Sequence, residues 1–209
     1  MGFAGRVTAV DINASMIEVA RSLPVVYGVP IDWQVANAMQ LPLDDESVDA
    51  VLCAQTLQFL SDKQTSLDEM RRVTKPGGRM VLSLWCDITH NPYFDVLVSA
   101  ISNYIGVETA VGLQSAFALS DPHTIHNLLR QAGFEHIEMH TTQLDLALPP
   151  LAEFIPRHIS ATPMAAGFNR APESMQKVVI EEVIEKLKGY EENGRLQIPF
   201  RSHMIRIRK

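Results

Sequence analysis

Short apolar runs alternate with helical patterns through the first 86 residues of the chain. Residues 7–10 and 48–54 are rich in β-branched and apolar side chains, which is typical of buried parallel strands. Two further strands are predicted at 32–35 and 79–85, and helices at 14–21 and 63–73. Strands that alternate with helices predict an α/β fold, a Rossmann-like doubly wound and mostly parallel sheet.

The pattern changes after Trp85, where helical segments become more frequent. Helices are predicted at 91–105, 122–132, 151–159 and 172–189, and strands at 136–146 and 201–209. Since no short crossover joins the two late strands, we expect them to form a terminal antiparallel pair on the parallel sheet. We predict a single domain over 1–209, with a core at 1–86 and helical cap insertions and closing strands at 87–209.

Composition narrows the possible partners. The formal net charge of −6 argues against a nucleic-acid interface, which usually needs a basic surface. No apolar run is long enough to span a bilayer, and no signal segment opens the chain. Cys53 and Cys86 lie in or just after predicted strands, so we expect reduced thiols in a cytoplasmic protein. A homo-oligomer is compatible with the sequence.

The acid that follows the first strand is the first chemical signal. Asp11 comes directly after residues 7–10, and Asn13 is placed to cap the next helix. A carboxylate at the carboxyl end of such a strand can hold the two hydroxyls of a ribose, as in enzymes that bind NAD. The alternative is that Asp11 only caps the helix or closes a turn.

Four segments together carry a resemblance to a known family. They are the run 6–20, the turn at 36–42, the strand at 47–51 and the Lys-Pro-Gly-Gly-Arg segment at 75–79. In order and spacing they resemble the S-adenosylmethionine-dependent methyltransferases of the Rossmann-like class. The type 11 small-molecule group, which includes quinone-biosynthesis enzymes, is the most similar. The resemblance implies S-adenosyl-L-methionine as cofactor and methyl transfer to a small-molecule acceptor.

The resemblance also implies roles at the adenosine half of the cofactor site. Asp11 would bind the ribose hydroxyls, and Ile12 would lie against the adenine. Asn37 stands where the family usually has Asp and would accept a hydrogen bond from the adenine amino group, whereas the backbone N–H of Ala38 would contact an adenine nitrogen. For Asn37 the alternative is a residue that forms a tight turn.

At the other half of the site, Ala54 and Gln55 end the strand at 48–54 and would face the methyl donor. The alternative for Gln55 is a loop residue that bonds to backbone. We assign the segment at 76–78 a structural role only, because proline and glycine there set the chain direction.

The resemblance has one departure. In the family a strand and a glycine-rich loop precede the strand that ends in the acid, and that loop holds the methionine part of the cofactor. Residues 1–5 contain two glycines but no preceding strand. We expect a truncated methyltransferase whose missing strand would lie between 7–10 and 48–54. The alternatives are a degenerate methyltransferase that acts as a non-catalytic binding partner, and a Rossmann enzyme that binds NAD.

No catalytic residue is assigned from the sequence. His90 and His158 are candidates for a general base, and each is also explained as a surface or packing residue. The seven histidines form no set with metal-ligand spacing, so no metal is predicted. Five aromatic residues are expected either to line an acceptor pocket or to lie in the core: Tyr93, Phe94, Phe117, Phe154 and Phe168.

Overall fold

The strands of the computed structural model form two main sheets within residues 5–24, 28–192 and 195–209, which are the residues that the structure describes. The strands are β1 (Val7–Asp11), β2 (Ile31–Val35), β3 (Val48–Ala54), β4 (Thr74–Trp85), β5 (His136–Ala147), β6 (Glu191–Glu192) and β7 (Arg195–Arg208). The helices are α1 (Ala14–Ser22), α2 (Lys63–Val73), α3 (Pro92–Tyr104), α4 (Val107–Gln114), α5 (Pro122–Gln131), α6 (Leu151–Ser160), α7 (Ala165–Arg170) and α8 (Glu173–Leu187).

Strand direction agrees with the predicted mixture of parallel and antiparallel pairing. β1 pairs in parallel with β2, and β3 pairs in parallel with β4. β7 lies antiparallel between β4 and β5, so β4 and β5 run in the same direction. The expected single sheet is divided, because within the described residues no strand joins β1 to β3.

A helical core fills the space beyond the carboxyl end of β4. α3 and α8 pack against each other, and Leu97, Ile101, Val179 and Val183 are fully buried between their neighbours. The spacing of four residues in each pair places both members on one face of their helix. We call this group, with its buried neighbours on α4, α6 and β7, the cap core.

The second core covers one face of the larger sheet. Leu67 on α2 and Leu129 on α5 are fully buried against Leu82 of β4 and Ile205 of β7. Both helices begin with an aspartate cap, since Asp62 accepts a hydrogen bond from the Thr65 N–H and Asp121 accepts one from the Thr124 N–H. We call this group the sheet core.

The β1–α1–β2 unit buries far less apolar surface than either core. Ile17 is the buried residue of α1, whereas Met16 and Val19 on the same helix are each 57% exposed. The predicted cap of α1 is confirmed, because the Asn13 side chain accepts a hydrogen bond from the Ser15 N–H at 3.0 Å.

Residues 41–47 connect this unit to the larger sheet, and Arg72 of α2 fixes them. Its guanidinium donates to the Leu41 and Leu43 carbonyls at 3.1 and 2.8 Å, and to the carboxylates of Glu69 and Asp45. The hydrogen bond to Glu69 is the largest cause of the raised pKa of Arg72. Arg72 is therefore bonded to the 41–47 segment rather than free in solvent.

The Pro-Gly-Gly segment is a bulge in β4 rather than a separate turn before it. β4 starts at Thr74, directly after α2, and the register passes from Val48↔Thr74 to Ala50↔Arg79. One residue of β3 therefore lies opposite four residues of β4. The extra residues of β4 form the bulge, in which Gly77 adopts a φ of +74°.

The hydrophobic pattern also does not predict α4 or α7. α7 has only six residues, and α4 carries Gly106 and Gly112 at or near its ends, which weakens the helical signal.

Among the described residues, no helix is both long enough and apolar enough to cross a bilayer.

Candidate functional site

The carboxyl ends of β1 and β2 form the first part of the candidate site. Asp11 lies opposite Val35 in the register, and the Ala36 N–H donates to the Asp11 carbonyl at 3.0 Å. The residues that follow the two strands, Ile12 and the Asn37–Ala38 pair, therefore share one edge with Asp11. The structure brings together the four residues assigned to the adenosine half of the site.

One oxygen of the Asp11 carboxylate takes part in a local turn, and the other is available to a ligand. Its Oδ1 accepts a hydrogen bond from the Asn13 N–H at 2.8 Å, which is the alternative role that the sequence allows. The other carboxylate oxygen has no partner among the described residues, and the side chain is exposed. Ile12 beside it is 70% exposed. The turn and a ligand contact are compatible, because they use different oxygens.

Asn37 uses its side-chain oxygen within its own turn. Oδ1 accepts from the Met39 N–H at 2.9 Å, and the Asn37 carbonyl accepts from the Gln40 N–H at 2.9 Å. The tight-turn role thus accounts for the geometry at Asn37. An adenine amino group would have to share this oxygen, which has a second lone pair.

Gln55, at the end of β3, has an unusual backbone and a polar side-chain network. Its φ is +50°, a left-handed conformation that costs a residue with a side chain roughly 1–3 kcal/mol. Its Nε2 donates to Ser202 Oγ at 3.1 Å, and its Oε1 accepts from Gln58 Nε2 at 3.1 Å. Gln55 therefore bonds to side chains rather than to loop backbone, and Ala54 before it is exposed.

Gln58 is a site residue that no sequence motif indicates. It is only 5% exposed, and its Oε1 has no hydrogen-bond partner among the described residues. A buried acceptor without a hydrogen bond lowers the stability of the fold. The Gln58 oxygen is therefore a polar group that the protein leaves unpaired next to Gln55. A glutamine three residues after another in a short apolar stretch gives no periodic signal that could have identified it.

Rings from several elements gather at the carboxyl end of β4. We call them the aromatic cluster: Trp85, Tyr93, Phe94, Phe117, Phe154 and Phe200. Trp85, the last residue of β4, lies with its ring centre 5.3 Å from that of Phe94. Tyr93, Phe94, Phe117 and Phe168 are buried in the cap core, and Phe154 is partly buried.

Asn91, a second residue missed at the sequence level, positions the start of α3. Its Nδ2 donates to the Cys86 and Asp87 carbonyls, and its Oδ1 accepts from the Arg201 N–H at 2.9 Å. Asn91 is fully buried, so it joins β4, α3 and β7 at one point. Both rings at the start of α3, Tyr93 and Phe94, are held over the sheet edge as a result.

The structure separates the two candidate bases. His158 on α6 lies with Nδ1 2.9 Å from the Tyr93 hydroxyl oxygen, whereas His90 is exposed on a short helical turn. Burial lowers the pKa of His158 and raises that of Tyr93, so both groups are neutral near pH 7. His158, Phe154, Pro149 and Arg157 line a cavity of about 370 Å³.

Both cysteines are buried free thiols, as predicted. Burial raises the pKa of Cys53 and of Cys86. Cys86 Sγ lies 3.7 Å from Nδ1 of His203, a buried histidine whose Nε2 lies 2.9 Å from the Ser120 carbonyl oxygen. Cys86 and His203 are thus packed together where β4, β5 and β7 meet.

A larger cavity, of about 740 Å³, lies at the opposite edge of the larger sheet, where β4 and β5 begin. Arg79 and Arg208 are directly opposite each other there, and His136 is opposite Arg208 on the next strand. None of the predicted cofactor contacts lines this cavity, so we do not assign it to the candidate site.

Residues 1–82 match the family described as a methyltransferase domain of type 11. The ubiquinone/menaquinone biosynthesis C-methyltransferase UbiE of Hahella chejuensis is 35% identical over 146 residues, which cover 64% of this chain and 58% of that protein. The O-methyltransferase resE of Aspergillus sclerotiorum is 27% identical over 152 residues, 72% of this chain and 53% of that protein.

A solved structure agrees with the fold assignment. A candidate methyltransferase from Bacillus halodurans superposes with a TM-score of 0.59 at 19% identity, over 98% of this chain and 83% of that chain. The chain spans less than two thirds of the length of the curated relatives described above. Residues 1–82 therefore match the type 11 methyltransferase-domain family, and the fold of the chain is that of Rossmann-like methyltransferases.

Proposed function

We propose that the protein transfers a methyl group from S-adenosyl-L-methionine to a small-molecule acceptor. The observation that carries this proposal is the edge formed by β1 and β2, within the matched residues 1–82. There the open carboxylate oxygen of Asp11 lies beside the residues that follow β2. Ligands of parallel α/β sheets bind at this carboxyl edge.

The residues present fit the adenosine half of that cofactor. A vicinal diol needs an acceptor that is not fully used by the protein, and Asp11 has one such oxygen. An adenine ring needs an accessible apolar surface, which Ile12 provides. When bound, S-adenosylmethionine supplies the electrophilic methyl group. The chain's own contribution is to bind, orient and exclude water.

Ala54 and Gln55 are proposed to face the methyl-donor half. The left-handed backbone of Gln55 supports this role, because strained residues persist where the surroundings hold them and often occur at ligand sites. The hydrogen bonds from Gln58 and to Ser202 hold the Gln55 side chain in one orientation. The matched family favours methyl transfer over binding of NAD.

The acceptor is proposed to be a small organic molecule rather than nucleic acid, since the formal charge of −6 disfavours a polyanion. The two relatives described above are named for transfer to carbon and to oxygen, so the acceptor atom is not carried over from them. The free thiols Cys53 and Cys86 support a reducing compartment, and we propose the cytoplasm.

Calorimetric titration with S-adenosylhomocysteine tests the proposal. We expect saturable binding, and we expect Asp11→Asn to weaken it by about tenfold or more, because a charge-assisted hydrogen bond is lost. At 100 times its Kd the ligand should also stabilise the fold by about 2.7 kcal/mol.

Asp32→Asn is the matched control, since Asp32 is an exposed acid on β2 in the same unit. It should leave the Kd within about twofold, because an exposed charge away from the ligand contributes little. No binding by the chain, or equal losses in the two variants, would contradict the proposal.

A further inference from the structure

The cavity at the edge where β4 and β5 begin is lined mainly by positive charge. Its volume of about 740 Å³ is within the range of small-molecule sites. Five of its lining side chains are arginine or lysine and two are glutamate, whereas the whole chain has a formal net charge of −6. The cavity therefore concentrates the sign of charge that is in the minority over the chain.

Three arginines of this lining keep their donors unused. Arg79 and Arg208 are register partners on β4 and β7, and Arg71 is in the last turn of α2. Within the described residues, none of these three side chains takes part in an ion pair. The Arg71 guanidinium lies against Gly133, since a Cβ atom on that glycine would be 3.1 Å from Arg71 Nη1. Guanidinium groups from three elements thus line one cavity.

The next row of the same strands shows an arginine whose charge is compensated. Arg206 faces Glu138 of β5 and donates to its carboxylate at 2.6 Å. Arg208, two residues further along β7, instead lies between Arg79 and His136. Like charges in direct opposition destabilise a strand pair, so the Arg79–Arg208 pair lowers the stability of the fold. A bound anion would relieve that repulsion.

The acids of the lining do not supply this compensation. Glu138 is already used by the ion pair described above, and Glu135 forms no ion pair in the part of the chain that the structure describes. The one lysine of the lining, Lys209, donates from Nζ to the Thr74 carbonyl at 2.6 Å and lies 3.5 Å from Glu46 Oε1. The donors that remain for a ligand are therefore those of the arginines.

We propose that this cavity binds a compact anion with two or more phosphoryl groups, held by Arg71, Arg79 and Arg208. A guanidinium group presents paired donors that match phosphate oxygens in a bidentate way. The backbones of Arg79 and Arg208 are about 5 Å apart, as in any antiparallel pair, so one phosphoryl group can contact both side chains. Arg71, on a separate element, is available to a second phosphoryl group.

The charge of the whole chain favours a compact anion over a long one. Screening at physiological salt limits the field of distant charges to about 8 Å, so the local arginines dominate within the cavity. An extended polyanion would leave the cavity and meet the surface of a chain whose formal net charge is −6.

This site is separate from the candidate methyl-transfer site. Arg79 precedes Trp85 by six residues of β4, which corresponds to about 20 Å of extended strand. None of the predicted cofactor contacts lines the cavity. Because S-adenosylhomocysteine carries no phosphate, the two sites can be loaded independently, and the inference does not rest on the proposed function.

Calorimetric titration with inorganic pyrophosphate at constant ionic strength tests the inference. We expect saturable binding, and Arg208→Thr should weaken it by about tenfold or more, because a charge-assisted contact is lost. Arg170→Gln is the matched control, since it removes the same charge from an exposed position on α7 outside the cavity. It should leave the Kd within about twofold.

Thermal unfolding separates a binding role from a structural one. Without an anion, Arg208→Thr should unfold at a higher temperature than the unsubstituted chain, because the like-charge pair is relieved. Pyrophosphate should raise the unfolding temperature of the unsubstituted chain and leave that of Arg208→Thr nearly unchanged. Arg79→Thr should show the same two effects. An arginine that only supports the fold would not combine them.

No saturable binding of pyrophosphate, or equal losses in Arg208→Thr and Arg170→Gln, would overturn the inference. Competition between pyrophosphate and S-adenosylhomocysteine would also overturn it, because the anion would then lie at the candidate methyl-transfer site. Sulfate, with a single tetrahedral group, should bind more weakly than pyrophosphate, and equal affinity would contradict the two-phosphoryl ligand. Tighter binding of an oligoglutamate peptide than of pyrophosphate would assign the arginines to an acidic peptide instead.

Discussion

The β1–α1–β2 unit and the region from residue 48 onward contrast in how they bury apolar surface. In the first, Ile17 is the buried apolar residue among those that the structure describes, and Ile12, Met16 and Val19 remain exposed. In the second, the cap core and the sheet core each contain many fully buried apolar side chains from several helices and strands. The predicted adenosine contacts thus lie on the less tightly packed region, whereas Gln55 and the aromatic cluster lie on the more tightly packed one.

The largest expected effect comes from truncating a buried side chain in the second region. Ile155 on α6 is fully buried, so Ile155→Ala should lower the free energy of unfolding by about 2–5 kcal/mol in urea denaturation. Val19→Ala removes an apolar side chain of the first region and should change it by less than about 0.5 kcal/mol. Similar losses in the two variants would remove the contrast between the regions.

The second prediction concerns the connection between the regions. Arg72→Gln removes the hydrogen bonds to the Leu41 and Leu43 carbonyls, so amide hydrogen exchange in residues 41–47 should accelerate by about tenfold. Lys63→Gln, on the same helix, is the control and should leave this segment unchanged. If the segment stays protected in Arg72→Gln, its order has another source.

The third prediction is a pH dependence of stability. Burial lowers the pKa of His158 in the folded state, whereas in the unfolded chain it is close to 6.5. As the pH falls below about 6.5, protons bind preferentially to the unfolded chain, and the folded state loses stability through the folded pKa. His158→Gln should therefore lose less stability than the unsubstituted chain between pH 7 and pH 5, as measured by urea denaturation. Parallel curves would show that His158 titrates normally.

The smallest effect is expected at the opposite edge of the larger sheet. Arg208 faces Arg79 across β4 and β7, and like charges in direct opposition destabilise a strand pair. Arg208→Thr should raise the free energy of unfolding by about 0.2–1 kcal/mol, with a smaller gain at high salt. Arg206→Thr, which instead breaks the ion pair with Glu138, should give no gain. A lower free energy of unfolding in Arg208→Thr would show that the pairing of Arg79 with Arg208 is stabilising.

Local patterns were sufficient to predict most elements of the fold. Asn13 caps the helix that the sequence assigns to it, because a capping side chain acts on amides only two or three residues away. Periodicity likewise predicts α2 and α5. The bulge at Gly77 was not predictable, since a Pro-Gly-Gly segment suits a turn and a bulge equally and the register with β3 decides between them.

The candidate site was predictable to a smaller extent. Asp11 and Asn37 follow strands, and sequence position alone places them at one edge. The Tyr93–His158 pair spans 65 positions in the sequence, and Gln55 with Ser202 spans 147. Such pairs depend on the tertiary packing of α3 on α6 and of β3 near β7, which no local pattern encodes.

Arg72 has a consequence for how the two halves of the site meet. A free linker between the β1–α1–β2 unit and β3 would let the adenosine contacts sample a wide volume, and their effective concentration at the Gln55 edge would be low. By holding the carbonyls of Leu41 and Leu43, Arg72 turns that linker into a spacer of fixed length. A ligand that spans both halves would then gain the second contact at little entropic cost once the first has formed.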